Sequence, residues 1–126
     1  MPQFDSVYLP VHQEEVVNFY FLKRGKLPTP AEALDYLKEE IRELMEAVDA
    51  IRYSENPDSR SLIEHYAKES ADVKFTLYGL DIALGVDGDK AFQLVCESNM
   101  TKERTEDGKV QKGENYVEPD MSGAIL

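Results

Sequence analysis

The stretch LKEEIRELMEAVDA, residues 37–50, sets carboxylates against an apolar stripe at helical spacing. At about 100° per residue, Leu37, Ile41, Leu44, Met45, Val48 and Ile51 fall on one side of a helix. Glu40 lies at the edge of that stripe beside Leu44 and Ile51, and Glu43 sits one step further round on the same side. Glu39 and Glu46 point to solvent. A second stretch, HYAKESADVKFTLYGL at 65–80, repeats the arrangement. Leu62, Tyr66, Val73, Leu77, Leu80 and Leu84 are its expected buried face, with Glu69 inside the arc and Asp72 at the rim.

Burying an ionised carboxylate without a partner costs several kcal/mol, so four acids facing one bundle interior call for counter-charge. Two Mg²⁺ ions would supply four positive charges, and a pair of acids at i, i+3 on each of two facing helices makes the oxygen cage a hard divalent cation prefers. The competing reading pairs the acids with Lys38, Lys68, Lys74 or Arg42, or leaves them on the surface.

Working outward, four segments carry helical period. The first spans roughly His12–Arg24 and stops at Gly25. Thr29 is placed to cap the second, with Pro30 at its first position and Glu32 in its first turn, and this helix continues to about Ser54. The third runs from near Ser59 to Gly85, and Asp87 caps a short fourth helix, DKAFQLVCESNM. After Met100 the period is lost. The tail carries an Asp107-Gly108 pair suited to a tight hairpin turn and a basic cluster of Lys102, Arg104, Lys109 and Lys112. The expected fold is all-α, a four-helix bundle-like single domain over 1–126, with a helical core of about 12–100 and an irregular tail of about 101–126.

Composition narrows the function. With 126 residues the chain has room for one modest core. Hydrophobic residues at 42% and charged residues at 31% are ordinary for a globular protein. Fourteen Lys+Arg against 25 Asp+Glu give a net charge of −11, which argues against nucleic acid and anionic membranes as partners. A polyphosphate could bind only where metal ions invert the sign of the site. The opening MPQFDSVYLP lacks a signal sequence's basic start and apolar run, no stretch is long and apolar enough to cross a membrane, and one cysteine fits a reducing cytoplasm. A di-iron bundle would need histidines three residues after ligand glutamates, and a P-loop its GxxxxGK[ST] run; neither pattern occurs. His12 and His65 read as polar helix residues, and Cys96 as a small buried hydrophobe. Asn18, Phe19 and Tyr20 on the first helix could meet a base, although core packing also accounts for the two aromatics.

The segments EEIRE (39–43) and ESAD (69–72) together resemble the EExxE…ExxD signature of the MazG-like all-α nucleoside triphosphate pyrophosphohydrolases, which include phosphoribosyl-ATP pyrophosphohydrolase. The tail, SNMTK through EDGKVQKGENYVEPD, resembles the phosphoribosyl-ATP-like branch found in phages and bacteria. The resemblance implies Mg²⁺, with Mn²⁺ as substitute, held by Glu40, Glu43, Glu69 and Asp72. Glu39 matches the leading glutamate, which with Glu43 implies a catalytic pair. Asn99 and Lys102 match an element that faces the phosphates, and Lys102, with Lys109, Lys112 or Arg104, is expected to balance the β- and γ-phosphates; Asn18, read from its place on the first helix, is a candidate substrate contact. The implied reaction is (d)NTP plus water to (d)NMP and pyrophosphate, with a purine dNTP such as dGTP as one substrate by analogy to the phage MazZ-type branch. Phosphoribosyl-ATP hydrolysis, and a non-enzymatic helical cation-binding or interaction module, are the alternatives. Relatives form dimers or tetramers, so self-association is expected. The tail is expected to fold over the substrate, so that its removal would raise KM and leave the helices intact. Two positions depart from the family pattern: Lys74 stands where leucine is common after ESAD, and Cys96 where related tails often have histidine.

Overall fold

A computed structural model describes the backbone from Pro2 to Leu126 and the side chains from His12 onward. The opening MPQFDSVYLP, where the sequence lacks a signal pattern, therefore lies outside the residues with described side chains. Four helices follow in order: α1 (Pro2–Arg24), α2 (Pro30–Arg52), α3 (Arg60–Leu84) and α4 (Gly88–Asn99). The first helix thus begins ten residues before the expected His12. Behind α4 comes a small antiparallel hairpin, β1 (Glu103–Arg104) with β2 (Val110–Gln111), and then a 3-10 turn, Met121–Ala124.

Local chemistry explains the boundaries. Thr29 Oγ1 accepts from the Glu32 backbone N–H at 3.2 Å while Glu32 Oε1 accepts from the Thr29 N–H at 3.0 Å, a reciprocal cap with Pro30 just inside it. Asp87 caps α4 through the Lys90 N–H at 3.0 Å. Helix α3 stops at Gly85, whose φ of 73° is the left-handed conformation that glycine reaches without a steric penalty. The Asp107-Gly108 turn forms as expected: Gly108 has φ of 85°, and Thr105 N–H donates to the Lys109 carbonyl at 2.7 Å.

Helices α2 and α3 form the principal packed pair, with α1 laid along α3. The seam on α2 is Ala33, Leu37, Glu40, Leu44, Ala47 and Ile51, all buried or half-buried. This corrects the predicted stripe. Ile41, Met45 and Val48 are 40, 62 and 42% exposed, on a line beside the seam, and Glu40 sits within the seam instead of at its edge. On α3 the seam runs through Glu69, Val73, Thr76 and Leu80, while Tyr66, Leu77 and Leu84 are exposed, so its predicted face is likewise rotated. The reason is shared by both helices. An apolar stripe broad enough to cover two neighbours does not say which half meets the partner within the chain.

Helix α1 contributes Val16 and Tyr20 to the core. Phe19 packs edge-on to Tyr20 and Phe75, with ring centroids 5.3 and 5.1 Å apart. Gly79 allows this approach: a Cβ there would lie 3.2 Å from Tyr20 Oη. The tail runs elsewhere than expected. Its hairpin packs against no helix among the described residues, and the 3-10 turn packs on α4. Ser98 Oγ donates to the Val117 carbonyl at 2.6 Å, Asp87 N–H to the Ala124 carbonyl at 2.8 Å, and Leu126 N–H to the Gly85 carbonyl at 2.9 Å. The end of the tail therefore closes the α3–α4 turn and does not lie across the α2–α3 face. Cys96, expected to be buried, is exposed on α4 because the tail covers the Ser98 side of that helix.

Candidate active site

The α2–α3 seam brings acids together. Glu40, Glu43 and Glu69 each offer a carboxylate oxygen, and these atoms all lie within 4.8 Å of one another. Glu69 is 6% exposed; Glu40 and Glu43 are half-buried. One oxygen each of Glu40 and Glu69, Oε2 in both, is buried without a hydrogen-bond partner among the described residues. Orphaned acceptors of this kind are costly, and a hard cation is the partner that suits a set of oxygens only. The residues present therefore fit a divalent ion.

Asp72, the fourth expected ligand, sits next to the cluster with its side chain 35% exposed and its Oδ2 2.8 Å from Lys68 Nζ. Lys68 also approaches Glu69 Oε1 at 3.5 Å, as does His65 Nε2 at 3.4 Å. The lysine pairing weighed in the sequence is thus present at Asp72, but it leaves the buried Oε2 atoms of Glu40 and Glu69 without partners. Burial, then close approach to Glu43, then the charges of Asp72 and Glu69 hold the Glu40 carboxyl above the usual carboxylate range.

The other predicted residues are dispersed. Glu39 is on the solvent side of α2, with Oε1 2.5 Å from an Arg42 nitrogen, and reaches the site only as part of an adjoining cavity wall. Arg42 also holds Glu46 at 2.7 Å. Asn18 is exposed on α1, and Asn99 is exposed at the end of α4, its carbonyl accepting from Lys102 N–H at 3.1 Å. Lys112 lies 3.6 Å from Glu118 and 4.9 Å from the Tyr116 ring centre.

What the sequence did not disclose is the cavity beside Glu40, about 380 Å³, walled by Phe19, Tyr20, Arg24, Tyr36, Phe75 and Thr76. Arg24 crosses from α1 to α2, donating to Glu32 Oε2 at 2.9 Å and to Tyr36 Oη at 3.3 Å. No spacing rule links Arg24 to Glu32 and Tyr36, which lie beyond a loop. The adjacent aromatics of α1 were the available signal, and they marked Phe19 and Tyr20.

The pair α2 and α3 thus gathers three carboxylates in its seam, with an aromatic-walled cavity beside Glu40. A family model described as phosphoribosyl-ATP pyrophosphohydrolase matches residues 12–99, and the chain belongs to that family, within the MazG-like all-α pyrophosphohydrolase superfamily. Comparison with curated proteins returns no match. Membership carries nucleotide pyrophosphohydrolase activity in general terms. No described helix is long and apolar enough to cross a membrane.

Proposed function

We propose that the chain is a Mg²⁺-dependent nucleotide pyrophosphohydrolase that cleaves a (d)NTP between its α- and β-phosphates, releasing (d)NMP and pyrophosphate, with purine deoxynucleotides such as dGTP as the first class to try. The observation that carries this reading is the seam cluster of Glu40, Glu43 and Glu69, with two buried carboxylate oxygens lacking partners. Glu40, Glu43, Glu69 and Asp72 would hold the ion, Mn²⁺ substituting. Once bound, it would neutralise phosphate charge and make a water acidic enough to act as nucleophile.

The chain's own residues supply the remainder. The cavity against Glu40 offers the rings of Phe19, Tyr36 and Phe75 for stacking and Arg24 as a donor to a base or sugar edge. Its polar wall stands directly beside the cage, so a base held there leaves its phosphates at the acids. Asp72 exchanges its Lys68 contact for the ion. Asn99, Lys102 and Lys112 lie on or behind α4, away from this face of their own chain, so their phosphate role requires a second copy. The apolar line Ile41, Met45 and Val48 is the surface on which that copy would sit, which is why a dimer or tetramer, in a cytoplasmic setting, belongs to the reading.

A second substrate is favoured by the family match itself: phosphoribosyl-ATP, hydrolysed at the same bond type. The test is pyrophosphate release from a panel of NTPs, dNTPs and phosphoribosyl-ATP, with Mg²⁺, with Mn²⁺ and with EDTA. Metal-dependent release from one nucleotide is expected; silence across the panel would leave a cation-binding module.

A further inference from the structure

A second group of acids lies at the other end of α3, outside the cage. Where α3 turns into α4, a cavity of about 290 Å³ is walled by Leu77, Tyr78, Asp81, Gly88, Asp89 and Phe92, with Lys74 at its side. Asp89 is 6% exposed. Its Oδ1 accepts from Tyr78 Oη at 2.5 Å, and its Oδ2 is buried with no partner among the described residues. Asp81 comes in from α3 and lies against Gly88 so closely that a Cβ at that glycine would fall 2.2 Å from Asp81 Oδ2. Neither Asp81 nor Asp89 forms an ion pair among the described residues, Lys74 included. Residues 1–11 contain no Lys, Arg or His side chain that could serve. Asp87, the third acid of the turn, is occupied as the cap of α4.

The positive end of α4 offsets part of this charge, but a helix terminus contributes a fraction of one charge and leaves Oδ2 of Asp89 without a donor. Burial first, then the charges of Asp89 and Asp87, raise the Asp81 carboxyl above its usual range. The acidic side of the cavity offers acceptors: Tyr78 spends its proton on Asp89 and retains lone pairs, and Asp81 and Asp89 add carboxylate oxygens. Leu77 and Phe92 make its apolar wall, and Lys74, the one cation of the lining, pairs with neither acid.

We propose that this cavity binds a primary alkylammonium ion, its three N–H donors directed at Asp81, Asp89 and the Tyr78 oxygen and its alkyl chain against Leu77 and Phe92. An ammonium carries donors only, matching the acceptor oxygens of Asp81, Asp89 and Tyr78. A divalent metal suits the cage better: among the described residues the oxygens of Asp81 and Asp89 do not join a third ligand in a compact cluster as Glu40, Glu43 and Glu69 do. Phe92 and Leu77 add apolar surface that an alkyl chain can cover and a bare metal ion cannot. This inference stands apart from the proposed hydrolase activity and survives or fails without it.

The test is a titration of the full chain with propylammonium chloride, ionic strength held constant with NaCl, followed through the backbone amides of Tyr78, Asp81, Gly88 and Asp89 by NMR. Saturable shifts at those amides are expected, weakened at least tenfold by Asp89→Asn and by Asp81→Asn, each checked by circular dichroism for retained helix. The proposal is overturned if no saturable shift occurs, if both folded variants bind as the wild type does, or if Mg²⁺ gives the same shifts at the same amides.

Discussion

Glu69 concentrates the residue-scale argument: it is the most buried acid of the cage and one of its oxygens has no partner. Glu69→Gln keeps the shape and removes the charge. Metal-dependent turnover should fall by at least a hundredfold, while the melting temperature in EDTA holds or rises because an uncompensated buried charge is gone. A melt and a pyrophosphate assay on one preparation check both halves. Glu40 makes a pH prediction. Its folded-state pKa lies above the ordinary carboxylate value of 4.5, so the fold binds this proton more tightly than the unfolded chain does. That contribution is complete below 4.5 and is lost as pH rises through the raised value. In EDTA, wild type should therefore lose stability relative to Glu40→Gln as pH rises above 4.5 through the raised value, and with Mn²⁺ present affinity should fall as pH drops through the same window. A pH-independent difference between the two melts would contradict this. These acids were legible in the sequence because two i, i+3 pairs, each on the apolar side of a long helix, fit a shared counter-charge better than a solvated surface does. Arg24, Tyr36 and Phe75 were not, since a cavity wall assembled from three helices has no local period.

At the scale of elements, the helix boundaries were largely readable because they rest on short-range chemistry: Thr29 with Glu32, Asp87 with Lys90, glycine at the end of α3. Thr29→Ala removes the reciprocal cap that starts α2 and should cost about 1 kcal/mol, seen as a lower urea midpoint with unchanged slope. Gly79→Ala places a methyl 3.2 Å from Tyr20 Oη, so α1 must shift or the ring must turn. The expected result is a loss of roughly 1–3 kcal/mol, the range for overpacked cores, largely reversed by adding Tyr20→Phe; no reversal would place the strain elsewhere. The rotation of each helix was the part the sequence misassigned. Ile41, Met45 and Val48 satisfy the same period as Leu37, Leu44 and Ile51, and only the packing of α3 chooses between them.

For the whole molecule, the tail and the exposed apolar line have the greatest consequences. Ala124 is 2% exposed, and the turn between α3 and α4 exchanges backbone hydrogen bonds with the last residues, Asp87 N–H donating to Ala124 and Leu126 N–H to Gly85. Deleting residues 121–126 should therefore lower the melting temperature as well as any activity, in contrast to the expectation that the helices stand without the tail; an unchanged melt would restore that expectation. Met45→Asp with Val48→Asp puts charge on the open face of α2, and sedimentation should show a lighter species than wild type. Both proteins sedimenting as monomers would remove the second copy from the proposed site. The claim beneath all of this is that the α2–α3 seam holds a divalent cation, and Mn²⁺ binding followed by electron paramagnetic resonance tests it most directly. Adding wild-type protein should diminish the six-line signal of free aqueous Mn²⁺ at stoichiometric amounts, and adding Glu69→Gln should leave most of it. Equal retention of the signal by the two proteins would contradict the account.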